Sequence, residues 1–253
     1  MVLLWGWTAV MAAGGTWWVR RDVAAYAQFE ALSGTIDRQH FYRRWLVESF
    51  AVLVGASMVS LWLVDALSPF SAFPHVFVPA NRVLQSRGHP SGDHWLPMAA
   101  GLSAGIAVSV AIQWSRLKAA LSPRPGADAA LIPRNRREAV LALLLSLNAG
   151  LSEELFFRLA LPLLVFHLTG SLATSLAVSM LCFGLAYAHY GWKGILATMA
   201  AGALLTFYYL HHGSLLRVMV AHAVIDVLAF FIRPAIADWI IARRPPRWAL
   251  LAV

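Results

Sequence analysis

The stretch LSEELFFRLA, Leu151–Ala160, lies inside an apolar run that extends from Ala139 to Leu168. Apolar runs of about 18 residues or more with few charges read as membrane-spanning helices. Glu153, Glu154 and Arg158 interrupt this one. Ionisable groups inside a bilayer are costly unless they pair or line a wet cavity, so they mark function by default. The stretch therefore predicts both a membrane helix and a working site part-way along it.

Six further apolar segments flank it: Val2–Val19, Trp45–Val64, Trp95–Trp114, Leu172–Ala188, Ile195–Leu210 and Leu215–Ile232. Together they predict an all-α polytopic membrane helix bundle of seven to eight transmembrane helices. Helices are the default because lipid cannot satisfy a bare backbone. The alternation of a β-barrel is absent from runs such as Leu141–Leu145 and Leu159–Val165. Composition agrees: 60% of the residues are hydrophobic and only 13% charged, where a soluble domain has about 25% charged. The net charge of +8 does not indicate nucleic acid, because the basic residues sit between apolar runs rather than on one soluble face. The lone Cys182 excludes an intrachain disulfide framework.

Basic residues fix the expected orientation. Arg20, Arg21, Arg38, Arg43 and Arg44 follow the first segment; Arg116, Lys118, Arg124, Arg134, Arg136 and Arg137 follow the third; Lys193 follows the fifth; Arg233, Arg243, Arg244 and Arg247 follow the last. The alternate connections hold only Arg82, Arg87 and Arg217. The positive-inside rule then puts the N-terminus outside and the C-terminus in the cytoplasm. The first segment has its charges behind it rather than before it, so it reads as a retained helix, not a cleaved signal. Leu67–Ala80 carries Pro69, Pro74 and Pro79 and is expected to be a loop or re-entrant hairpin. Trp17, Trp18 and Trp192 read as interfacial anchors, Glu48 as a snorkelling side chain, His167 as packing, and His211 and His212 as a helix end.

Spacing sorts the charged groups. Glu154 and Arg158 are four apart and share a helix face, so they can pair. Glu153 is turned about 100° away and must find a partner across the bundle. In VAHAVIDVLA, Val220–Ala229, His222 and Asp226 are also four apart. Asp226 is expected to hold the imidazole tautomer while the other nitrogen meets water or a metal. In FGLAYAHYGW, Phe183–Trp192, His189 ends the fifth segment. Along an unbroken helix from Arg137, Glu153 would lie about 24 Å deep. It could then meet His189 only if Ala139–Gly150 were a separate or broken piece, with Asn148 and Gly150 as the expected break.

These three stretches resemble a known family. SEELFFR resembles the E-E-x-x-x-R motif of the CAAX-protease and bacteriocin-processing family of membrane peptidases. HAVID resembles its H-x-x-x-N/D motif, and FGLAYAHYGWKGIL its F-x-x-x-H segment. The resemblance covers roughly Arg136–Ile232. Together with the apolar segments and the basic connections, it divides the chain into N-terminal transmembrane helices and loops over residues 1–135, a peptidase-like core over 136–235 and a cytoplasmic tail over 236–253. It also implies peptide-bond hydrolysis in a membrane-associated protein or peptide, with Glu153 as base, His222 and His189 on water or carbonyl, Asp226 orienting His222, and Glu154 with Arg158 bracing the helix. Either no cofactor is needed, or zinc is held by Glu153, His189 and His222. In the family the His stands four residues after Phe; here Tyr187 holds that place after Phe183, and His189 is expected to reach inward instead. The rival readings are a catalytically inactive membrane scaffold or immunity protein, and an ion-coupled transporter.

Overall fold

In the computed structural model, residues 1–67, 73–86, 130–232 and 234–235 are described. Every regular element among them is helical. In chain order they are α1 (Val2–Glu30), α2 (Thr35–Leu63), a 3₁₀ turn (His75–Phe77) leading into α3 (Val78–Ser86), α4 (Arg136–Thr169), α5 (Leu172–Ala186), a 3₁₀ turn (Ala188–Tyr190), α6 (Gly191–His212) and α7 (Leu215–Val227). Two of them contain π turns: α4 at Leu155–Ala160, and α7 where it runs on through Leu228–Ile232.

Four of these helical stretches are long and apolar enough to cross a membrane: Thr35–Leu63, Arg136–Thr169, Ala188–His212 and Leu215–Ile232. α5 is apolar but shorter, and α1 is long without meeting that measure of apolarity. The chain is thus an integral membrane helix bundle with four such spans among the described residues. The expected span Trp95–Trp114 lies outside the described residues, as do Arg87, Arg116, Lys118, Arg124 and the tail beyond residue 235. The described part of the proline-rich stretch before α3 carries the 3₁₀ turn and the start of α3.

The sequence closes two of its turns with one device. α4 ends at Gly170 and α6 at Gly213, each left-handed with φ of 66° and 65°, where a residue with a Cβ is strained. The next residue is a serine that caps the following helix: Ser171 Oγ accepts from the Thr174 amide, and Ser214 Oγ from the Arg217 amide. At the C-terminus of α6, Asn81 of α3 donates to the carbonyls of Leu210 and His211 at 2.7 and 3.0 Å. It satisfies two of the carbonyls that a helix end leaves open.

At the other end a buried ion pair ties α2 to α4. Arg38, expected in a basic loop, is wholly inside. Its guanidinium meets Glu138 at 3.2 Å, donates to the carbonyls of Ala130 and Ile132, and lies 4.5 Å over the Phe29 ring. Glu138 also accepts from Thr35, Asn135 and the Arg134 amide. A buried charge pair is tolerable only when its remaining hydrogen bonds are made, and here most of them are. Glu48 does not simply snorkel; it joins Arg21 of α1 to Arg44, whose Nε is 3.0 Å away.

The expected break in α4 is absent: Arg136–Glu154 is continuous α-helix. Asn148 and Gly150 serve packing instead. Asn148 donates sideways to Ser49 Oγ of α2 at 2.8 Å. A Cβ on Gly150 would come within 2.6 Å of the Met219 carbonyl oxygen and 2.9 Å of Ala223 Cβ. Small residues let membrane helices approach closely, and this contact seats α7, with His222 on it, against α4. Gly150→Ala is therefore expected to push α7 outward. Overpacking of this kind costs about 1–3 kcal/mol, visible as a lower melting temperature in detergent; an unchanged melt would show that the two helices part freely.

Candidate active site

The π turn Leu155–Ala160 directly follows Glu153 and Glu154. Wide turns of this kind inside α-helices are frequent at functional sites. This one frees the Phe157 carbonyl, which accepts a hydrogen bond from Ser179 Oγ of α5. Across it, Arg158 Nε stands 3.0 Å from Glu154 Oε2, as the four-residue spacing predicts. Both side chains are buried. The Arg158 guanidinium lies 4.2 Å over the face of Phe183, a cation–π contact strengthened by burial.

The other oxygen of Glu154 reaches α7. His222 Nδ1 lies 2.5 Å from Glu154 Oε1, and His222 is only 4% exposed. An ionised carboxylate can only accept, so Nδ1 carries the proton. Arg158, Glu154 and His222 thus form a buried chain that ends at His222 Nε2. Asp226 Oδ1 is 3.9 Å from that nitrogen, beyond hydrogen-bond length. Two expectations are corrected here. Glu154, not Asp226, makes the direct bond that orients His222, and Glu154 does more than brace Arg158. The cause is rotation of the imidazole across the helix interface, which spacing along α7 does not reveal.

Glu153 faces another way, as predicted from its 100° offset. It is partly exposed, as is Asp226. Its partner is the phenol of Tyr187, whose hydroxyl donates to Glu153 Oε2 at 2.9 Å. The Tyr187 ring packs 5.5 Å from Phe183, and the Phe183 ring 6.0 Å from His222. Phe183 thus packs against both Tyr187 and His222.

His189 does not join them. α5 ends at Ala186 and the chain tightens into the 3₁₀ turn Ala188–Tyr190. That turn aims His189 at α1, where its Nδ1 lies 2.8 Å from Asp22 Oδ2. Asp22 accepts a hydrogen bond from Trp45 Nε1 at 2.7 Å, and the His189 ring stacks on Tyr26 at 4.6 Å. The expectation that His189 and not Tyr187 faces Glu153 is thus corrected. A turn does begin where foreseen, but its rotation carries His189 to α1. The zinc arrangement of Glu153, His189 and His222 does not fit either: among the described residues no three His, Cys, Asp or Glu side chains are grouped to hold a metal ion. Sequence reasoning missed Asp22, which reads as one more juxtamembrane charge beside Arg20 and Arg21, and passed over Tyr187, whose four-residue spacing from Phe183 was the available signal.

Chemically, the arrangement offers a half-exposed carboxylate beside a hydroxyl donor, and an imidazole fixed in one tautomer from behind. Such a set can hold and deprotonate a water and polarise a carbonyl. The family model described as Type II CAAX prenyl endopeptidase Rce1-like matches residues 135–228. No curated protein and no solved structure matches the chain. The match spans Glu153, Glu154, Arg158, Tyr187, His222 and Asp226, so the helical core of this chain, residues 135–228, is similar to the Rce1-like type II CAAX prenyl endopeptidases.

Proposed function

We propose that this protein is an intramembrane peptidase that hydrolyses a peptide bond in a membrane-associated protein or peptide, using a water activated by Glu153. The observation that carries the reading is the division of labour between adjacent glutamates. Glu154 is buried in a charge chain with Arg158 and His222, while Glu153 is left half-exposed for chemistry.

In this reading the water sits against Glu153 and within reach of His222 Nε2. Glu153 takes a proton from the water as its oxygen attacks the scissile carbonyl carbon. The carbonyl π electrons move to oxygen. On collapse the C–N bond breaks, and the amine leaves with the proton that Glu153 returns. His222, held by Glu154 with its proton on Nδ1, aligns the water by accepting at Nε2, beside the carboxylate of Asp226. Positioned acid–base groups of this kind supply about 10²–10⁴-fold. No metal is required, and none of these steps passes through one. The N-terminus outside and C-terminus in the cytoplasm, from the basic connections, belong to the same proposal.

The test uses the purified protein in proteoliposomes with a set of tagged, membrane-anchored peptides. Cleavage by the wild type, lost in Glu153→Gln, is expected. Proton uptake without cleavage would instead identify a transporter, and neither activity would leave a scaffold.

A further inference from the structure

The mechanism above needs a donor for the oxygen that becomes negative, and it rests on the peptidase reading. We propose that the Tyr187 hydroxyl is that donor: a catalytic phenol standing where an imidazole is expected. The Tyr187 hydroxyl is 2.9 Å from Glu153 Oε2. A base and an oxyanion donor must both lie about 3 Å from one reacting centre, and two groups 2.9 Å apart can share one. Tyr187 is partly exposed on the same open side as Glu153. Its ring is set by Phe183 at 5.5 Å and Tyr190 at 6.1 Å, so the hydroxyl is aimed before substrate arrives.

The rival donor is engaged elsewhere. His189 Nδ1 lies 2.8 Å from Asp22 Oδ2 and its ring is stacked on Tyr26. The Asp22 contact fixes the 3₁₀ turn that follows Tyr187, so α1 reaches the site through this turn. His189 and Asp22 are positioning residues in this account, and Tyr187 is catalytic. When a peptide carbonyl enters, the phenol turns its proton from Glu153 Oε2 to the carbonyl oxygen. That frees the carboxylate to take a proton from water in the same step. The hydrogen bond to the oxygen strengthens as charge develops there and returns to Glu153 when the C–N bond has broken. No atom is gained or lost by the tyrosine.

The experiment compares wild type, Tyr187→Phe, Tyr187→His and His189→Ala in proteoliposomes. It reads cleavage of a tagged membrane-anchored peptide and binding of a peptidyl trifluoromethyl ketone, whose hydrate mimics the tetrahedral intermediate. Tyr187→Phe is expected to lower kcat by about 10²-fold, as loss of one oxyanion donor does, and to weaken the ketone similarly. Its KM should stay within about threefold of wild type, because the lost bond is made in the transition state. Tyr187→His restores an N–H donor and is expected to recover part of kcat, which also separates lost chemistry from lost folding. A wild-type kcat in Tyr187→Phe overturns the inference. So does equal weakening of substrate and ketone, which would mark a packing role, or a larger kcat loss in His189→Ala than in Tyr187→Phe. A wild type that neither cleaves nor binds the ketone overturns the peptidase reading and this inference together; a cleaving wild type with an unaffected Tyr187→Phe overturns this inference alone.

Discussion

Glu153→Gln is expected to reduce hydrolysis by about 10²-fold or more, the usual contribution of a general base, while leaving the fold intact. The amide has the size of the carboxylic acid. Its carbonyl oxygen can still accept the 2.9 Å bond from Tyr187. No buried charge is left alone, because Glu153 is partly exposed and its side chain bonds to that neutral hydroxyl. What disappears is the capacity to take a proton from water. The variant should therefore melt with the wild type and bind substrate unchanged, and so serve as a trap for it. Full activity in Glu153→Gln would move the base to His222.

The same substitution one residue along has the opposite character. Glu154 is wholly buried between two partners, bonded to His222 at 2.5 Å and ion-paired with Arg158 at 3.0 Å. An amide at residue 154 has one accepting oxygen, so its NH₂ must face either the imidazole N–H or the guanidinium. Glu154→Ala is harsher still, since it leaves Arg158 charged, buried and without its carboxylate. Breaking a buried pair from one side costs about 3–5 kcal/mol. We expect Glu154→Ala to melt well below the wild type in detergent, and to lose activity because His222 has no orienting partner. Glu154→Gln should fall between. A Glu154→Ala protein with wild-type stability would mean that Arg158 finds another acceptor.

The contrast between the two glutamates was legible in the sequence because helical rotation depends only on residue spacing. Glu154 with Arg158, and Glu153 apart from them, follow from it. The same rule placed His222 and Asp226 on one face of α7, but a shared face does not say which way an imidazole points. Its Nδ1 crosses to Glu154, 68 residues away, and Asp226 is left at 3.9 Å. Asn148 and Gly150 were read as breakers from their local propensities. The bundle uses them for lateral contact, a tertiary demand that overrides propensity. The pairing of Arg38 with Glu138 spans 100 residues, and Arg38 alone looks like any other juxtamembrane cation. His189 failed for a local reason: the 3₁₀ turn has about 3.0 residues per turn, and a count based on 3.6 cannot carry a side-chain direction through it. The first part of the chain was read only as apolar spans, although α1 supplies Asp22 to the edge of the site.

The central claim is that Glu153 makes a nucleophile of water against a peptide bond. It is tested most directly by incubating the reconstituted protein with a tagged membrane-anchored peptide in water labelled with heavy oxygen, and weighing the fragments. The account predicts a new carboxyl terminus carrying one labelled oxygen in the wild-type reaction, and at least about 10²-fold less of it with Glu153→Gln. No fragment from the wild type, or the same labelled fragment at the same rate from Glu153→Gln, would contradict it.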